Sequence, residues 1–294
     1  METTAKDRII RATGAKAPFR LVLVDITQCA NELGKKHGAT AYSLKFLAET
    51  SIASIFLSSG LKYAGTVSVR VGFSGDISKV VAESTPQGLL RAMIPQEDIL
   101  RTKNFEPALS PQTFEVIKLD EKGKRVHDSI IDAVSESIGR DLSVYMLQSE
   151  QTHSAIGIEA KNNANDASKL DYAVGFYLEA YPDLAPADLS ALEESIMKLP
   201  KFGKFYDGHF YALDALLRNI AGDYDISVVR EITPTVYCPC SKVRTLSSLA
   251  AIPTADLQNL IDENKDIEMI CDFCRNKYII TPDEIRDILK DRKV

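Results

Sequence analysis

The sequence predicts an α+β fold: an N-terminal domain of mixed sheet and helix, a helical linker, and a small C-terminal α+β module. Three observations carry this. Segments of strand periodicity come in runs broken by helices, without regular βαβ alternation. The texture changes at Tyr181-Pro182-Asp183-Leu184-Ala185-Pro186, where two prolines end the last strand and amphipathic helices take over. Four of the five cysteines are confined to the tail. The boundaries read as 1–182 for the first domain, 183–232 for the linker and 233–294 for the tail module.

Residues 40–59 predict a helix, with Leu44, Leu47, Ala48, Ile52, Ile55 and Phe56 on one face at helical spacing. A strand follows in which Val67, Val69 and Val71 alternate with Thr66, Ser68 and Arg70. Gly72 and Gly75 mark a turn after it. Further strands are expected at 89–94, 114–119 and 126–133. A helix over 135–149 carries Ile138, Leu142, Tyr145 and Met146, and strands at 154–159 and 173–181 close the domain.

In the linker, Leu189, Leu192, Ile196 and Leu199 form one helical stripe, ended by Pro200. Phe210, Leu213, Leu216, Leu217 and Ile220 form a second, with Gly222 placed as its C-cap. Such stripes require a neighbour to cover them. In the tail, Thr254 is expected to cap a helix carrying Leu257, Leu260 and Ile261. Thr281, Pro282 and Glu284 have the spacing of an N-cap, a first-turn proline and a capping-box partner.

The chain has 294 residues, 45% of them hydrophobic, and a net charge of −6. Such a charge exerts no global pull on phosphate backbones, so nucleic acid is not an expected partner. The N-terminal METTAKDRIIRATG lacks an apolar signal core, and the most apolar stretch, 51–59, is too short to span a bilayer. No membrane partner is expected, and the default compartment is the cytoplasm. Thiols stay reduced there, so clustered cysteines point to metal or redox chemistry.

The cluster reads Cys238-Pro239-Cys240 and Cys271-Asp272-Phe273-Cys274, separated by residues 241–270. Two close pairs of soft thiolates supply the tetrahedral donor set that Zn2+ prefers. Four unrelated buried thiols and an iron–sulfur cluster are the other readings of the same residues. Four thiolates fill the coordination sphere, so a hydrolytic zinc with an open position is not expected, and no catalytic residue is assigned. The site is structural or a switch. A module as small as 233–294 is marginal alone. Zinc contributes about 10–16 kcal/mol of apparent binding free energy in small peptides, so losing the metal would unfold it.

The pattern resembles the redox-regulated heat-shock chaperones of bacteria, the 33 kDa chaperonin family. The resemblance is carried by CxC followed at long spacing by CxxC, continuing as Cys274-Arg275-Asn276-Lys277-Tyr278. It also rests on Leu61-Lys62-Tyr63 before the Val67 strand, on Phe73-Ser74-Gly75-Asp76, and on Tyr145-Met146-Leu147-Gln148-Ser149-Glu150-Gln151. It spans residues 19–289. Lys242-Val243-Arg244 departs from the Arg-Glu-Arg run more usual there, and the first domain has its own loop around 162–168. The resemblance implies a substrate-binding first domain, a linker and a zinc domain. It implies a holding chaperone for unfolding proteins, inactive when reduced with zinc on Cys238, Cys240, Cys271 and Cys274. Oxidation would form disulfides Cys238–Cys240 and Cys271–Cys274, release zinc, unfold the linker and favour a homodimer.

Two other functions stay open on the residues alone. A zinc ribbon binding nucleic acid or a protein would use Lys242, Arg244, Arg275 and Lys277 near the cysteines. A thiol–disulfide oxidoreductase would use CxxC, although its usual βαβ setting is missing. Cys29 follows the apolar run 21–24 and reads as a buried core thiol, with a resolving thiol as the sharper alternative. His37, His127, His153 and His209 have no ligand spacing, and residues 72–75 lack the lysine of a phosphate loop.

Overall fold

The computed structural model describes residues 6–102 and 109–291. The chain divides into two compact units, Met1–Tyr237 and Cys238–Val294. The first opens with β1 (Arg8–Gly14), β2 (Phe19–Asp25), α1 (Thr27–His37) and α2 (Ala41–Ser58). Then come β3 (Gly65–Gly75), β4 (Lys79–Ser84), β5 (Leu89–Met93), α3 (Gln96–Thr102), β6 (Leu109–Asp120) and β7 (Arg125–Asp132). Next are α4 (Ile138–Gln148), β8 (Ser154–Asn162) and β9 (Leu170–Ala180). The unit ends with α5 (Pro186–Met197), a 3-10 turn (Phe202–Phe205), α6 (Leu213–Ala221), β10 (Ile226–Ile232) and β11 (Thr235–Val236).

One sheet has the order β10-β1-β2-β9-β8 and the other β11-β5-β4-β3-β6-β7. Neighbours are antiparallel except β11, which runs parallel to β5. Helix α2 touches β3, β4 and β5 of one sheet and β8 and β9 of the other. It is therefore a central helix, buried nearly all round rather than on the single face that periodicity suggests. Ser51, Ser54 and Ser58 donate to the carbonyls of Leu47, Ser51 and Ile55 on their own helix, and Ser58 also accepts from the Ser84 hydroxyl of β4 at 2.9 Å. Gly175 on β9 permits the approach: a Cβ there would lie 2.7 Å from the Gly157 carbonyl and 3.0 Å from Ile52 and Phe56.

The first sheet is apolar on both faces. On β2, Val22 and Val24 join the α2 core, while Phe19, Leu21 and Leu23 point the other way. On β9, Ala173 and Tyr177 face α2, and Tyr172, Val174, Phe176 and Leu178 face away. That second face is covered by residues of the segment that sequence assigns to the linker: Leu192, Phe205, Leu213, Leu216, Leu217 and Ile220. The stripes predicted on α5 and α6 thus have their neighbour. The segment also supplies β10, which pairs with β1.

Details differ from the sequence reading. β3 runs on through Gly72 with a bulge before Phe73, and the turn falls after Gly75. Gly72 sits where a Cβ would meet Thr113 Oγ1 at 2.5 Å, so its smallness serves strand pairing. β1, β2, β4, β10, β11, α1 and α3 were not foreseen. β10 is mostly exposed and β2 is buried on both sides, so neither shows alternation.

The second unit contains α7 (Lys242–Leu249), α8 (Thr254–Asp262), β12 (Ile267–Ile270), β13 (Lys277–Ile280) and α9 (Pro282–Asp291). α7, β12 and β13 were not foreseen. Pro253, not Thr254, holds the cap position of α8. The capping box at α9 forms as predicted: the Thr281 N–H donates to Glu284 at 2.9 Å, and the Glu284 N–H to Thr281 Oγ1 at 3.4 Å. Among the described residues the buried core is five side chains, Leu249, Leu257, Ile261, Ile280 and Ile285.

Leu216→Ala empties a fully buried site under the first sheet. It should cost about 2–5 kcal/mol, read as a lower urea midpoint; an unchanged midpoint would show the stripe is not packed. Burial also pushes the Glu49 carboxyl on α2 up to about 7, with Lys45 and the Ala160 N–H pulling it down. The native state holds a proton that the unfolded chain releases. Stability from this group is complete below its unfolded value of about 4.5 and is lost as pH rises through about 7. Glu49→Gln should remove that loss and stabilise the protein at pH 8 by on the order of 2 kcal/mol. A wild-type and variant difference that does not change between pH 5 and pH 8 contradicts this.

Candidate metal centre

Two short backbone devices aim the four thiols at one another. Cys238 and Cys240 lie in the irregular stretch entering α7, whose N-cap is Ser241. The Ser241 hydroxyl accepts from the Arg244 N–H at 3.2 Å, and the Arg244 guanidinium donates to the Pro239 carbonyl at 3.2 Å. This clamps the Cys-Pro-Cys turn to the helix start. The departure at residues 242–244 therefore keeps an arginine where it closes the loop.

Cys271 and Cys274 sit at the tip of the β12–β13 hairpin, where Ile270 pairs with Lys277. The Cys271 N–H donates to the Asn276 carbonyl at 2.9 Å, and the Arg275 N–H donates back to the Cys271 carbonyl at 2.9 Å. Arg275 takes a left-handed φ of 61°, which completes the tight knuckle. The Lys242–Glu284 ion pair, 2.7 Å, ties α7 to α9.

All four sulfurs lie within 4.8 Å of one another. Cys238 and Cys271 are 3.7 Å apart, and Cys240 and Cys274 3.2 Å. A tetrahedron with Zn–S bonds of about 2.3 Å has sulfur–sulfur edges of about 3.8 Å. No pair is bonded, and the four thiols are half-buried. The donor set and its size fit a tetrahedral soft cation. The Cys274 thiol is pushed up, chiefly by burial and also by the sulfurs of Cys240 and Cys271. A divalent cation would reverse this balance by stabilising the thiolates.

Sequence reasoning named all four sulfurs and overlooked what surrounds them. Tyr278 on β13 places its hydroxyl 3.0 Å from Cys240 Sγ, and its ring packs on the small core. Tyr278 lay inside the quoted motif, but strand alternation alone does not say which sulfur it reaches.

The basic residues near the cysteines are largely engaged. Lys242 pairs with Glu284, Lys277 with Glu268 at 3.0 Å, and Arg244 with a carbonyl. Cys29 lies buried on α1 in the other unit. Its N–H donates to Asp7 at 2.7 Å and its thiol to the Pro234 carbonyl at 3.6 Å. Burial, then Asp7, push its thiol up, which makes it a core thiol and a poor nucleophile. Buried His37 meets the Ala92 carbonyl at 3.0 Å.

A family model described as Hsp33 protein matches residues 7–281. A Streptococcus gordonii protein named 33 kDa chaperonin is 28% identical over 291 residues, covering 97% of this chain and 99% of that protein. The Lactococcus lactis protein of the same name is 28% identical over 289 residues, covering 97% and 100%. The crystal structure of the 33 kDa chaperonin from Thermotoga maritima superimposes with a TM-score of 0.81 at 19% identity, covering 98% and 99%. That likeness establishes the shared fold.

If the four sulfurs hold a metal, stripping it with a chelator under reducing conditions should abolish amide-exchange protection in α7, α8 and α9. Protection of β2 and β9 should persist. Full protection of α7 to α9 in metal-free protein would show that the five-residue core suffices.

Proposed function

The chain belongs to the Hsp33 family, and from that premise we propose that it is a redox-regulated holdase which captures unfolding proteins in the cytoplasm under oxidative stress. The observation that carries this reading is the convergence of four sulfurs in a unit with only five buried apolar side chains among the described residues.

In the reduced protein, Cys238, Cys240, Cys271 and Cys274 would hold Zn2+. When bound, the ion supplies the positive charge that keeps four crowded sulfurs as thiolates and binding free energy of about 10–16 kcal/mol. Whole domains are stable by about 5–15 kcal/mol, so the site dominates the energetics of so small a unit. Hydrogen peroxide then consumes the ligands. In each pair, two thiolates, one peroxide and two protons give one disulfide and two waters; an S–S bond forms and the O–O bond breaks. We assign the pairs as Cys238–Cys240 and Cys271–Cys274.

With its ligands gone, the second unit would lose its fold. The segment 183–232 would then loosen, being joined to that unit through the chain. Its departure would uncover the face of the first sheet that bears Phe19, Leu21, Leu23, Val174, Phe176 and Leu178. A contiguous apolar sheet face of this kind suits unfolded chains and a second copy of the protein. Binding clients in this way needs no catalytic residue.

The alternative of a ribbon for nucleic acid is weakened by the pairing of Lys242 and Lys277 with carboxylates. An oxidoreductase role is disfavoured because the CxxC lies at a hairpin tip, not at a helix N-terminus that would lower a thiol's pKa.

Peroxide treatment at elevated temperature should release one zinc per chain, consume four thiols and confer suppression of client aggregation. Aggregation is followed by light scattering. Equal suppression by reduced and oxidised protein would rule out the switch.

A further inference from the structure

We propose that the Tyr278 hydroxyl acts as a hydrogen-bond guard on Cys240, slowing that sulfur's reaction with oxidants and so raising the dose needed to disable the site. The inference rests on the thiolate-site reading above and adds a residue that sets its sensitivity.

Tyr278 sits on β13 opposite Met269 of β12. Its ring packs against the core of Leu249, Leu257, Ile261, Ile280 and Ile285, so the side chain is held from behind. Its hydroxyl lies 3.0 Å from Cys240 Sγ. That is close for an O–H donor on sulfur, whose bonds run longer than those to oxygen. A ligand thiolate is an acceptor, so the phenol must donate. The tyrosine is thus a rigid donor standing against one of the four sulfurs.

A hydrogen bond to a thiolate draws charge from the sulfur and weakens it as a nucleophile. Attack on peroxide uses that charge. The Cys240 sulfur forms an S–O bond, the O–O bond breaks, and hydroxide leaves and is protonated to water. The resulting sulfenic acid is attacked by a second thiolate. An S–S bond forms and the sulfenic oxygen leaves as hydroxide, again taking a proton. The first step is slower while the phenol shares the sulfur lone pair, and each hydrogen bond to a ligand also steadies the metal.

Tyr278→Phe keeps the ring packing and deletes only the donor. Three quantities are compared with wild type: metal content, the rate of zinc loss to a chromogenic chelator without oxidant, and the rate at which each cysteine is lost to peroxide, resolved by alkylation and peptide mass spectrometry. The variant should hold one zinc, lose it about tenfold faster, and lose the Cys240 thiol several-fold faster relative to Cys271. Ile280→Val serves as control: a merely loosened core would speed all four cysteines alike. If Tyr278→Phe does not fold, 3-fluorotyrosine at position 278, a stronger donor, should slow Cys240 oxidation. Rates at Cys240 unchanged in the folded variant, or acceleration shared equally by all four sulfurs, overturn the guard. These rates do not depend on client binding. A wild-type protein with no redox-dependent holding activity therefore defeats the proposed function without deciding the role of Tyr278.

Discussion

Four sulfurs gathered within 4.8 Å cannot all carry charge without a cation among them. Burial and the neighbouring sulfurs push the Cys274 thiol up, the direction expected when no cation offsets them. Everything local serves this constraint. The Ser241 cap and Arg244 fix one pair, the left-handed Arg275 fixes the other, and Lys242–Glu284 holds the helices that carry them. The apolar core behind them is five buried side chains among the described residues; under the proposed function the chemistry of the sulfurs and the fold of the unit would be one equilibrium.

The first unit is built on the opposite principle. Its central helix has almost no exposed face, and its first sheet is apolar on both sides. One side is closed permanently by α2. The other is closed by α5, the 3-10 turn and α6, which come late in the chain and lead to the cysteine unit through β10 and β11. Under the proposed function that cover would be removable, and an apolar platform beneath it is the arrangement a conditional binder of unfolded chains needs. The same residues that stabilise the resting protein, such as Leu216 against β2 and β9, are those that would have to be given up on activation.

Much of this was legible in the sequence. The strict alternation of Val67, Val69 and Val71 gave β3. The stripes at 189–199 and 210–220 gave α5 and α6, although Phe210 precedes α6 and is exposed, and Thr281-Pro282-Asp283-Glu284 gave the start of α9. The cysteine spacing named the whole donor set. What stayed hidden has physical reasons. β2 shows a continuous apolar run because both faces are buried. α2 looks amphipathic because its buried serines donate to carbonyls of their own helix and pass for a polar face. β10 is an exposed edge with little pattern. Tyr278 acts through a tertiary approach to Cys240, which strand periodicity does not encode.

The central claim is that sulfur chemistry and the fold of the tail are one equilibrium. Native mass spectrometry during a peroxide titration reads zinc, disulfides and charge-state distribution on the same molecules. The account predicts that every molecule that has lost its metal also carries disulfides and an expanded charge-state envelope. A population that is metal-free and fully oxidised yet as compact as the reduced protein would contradict it.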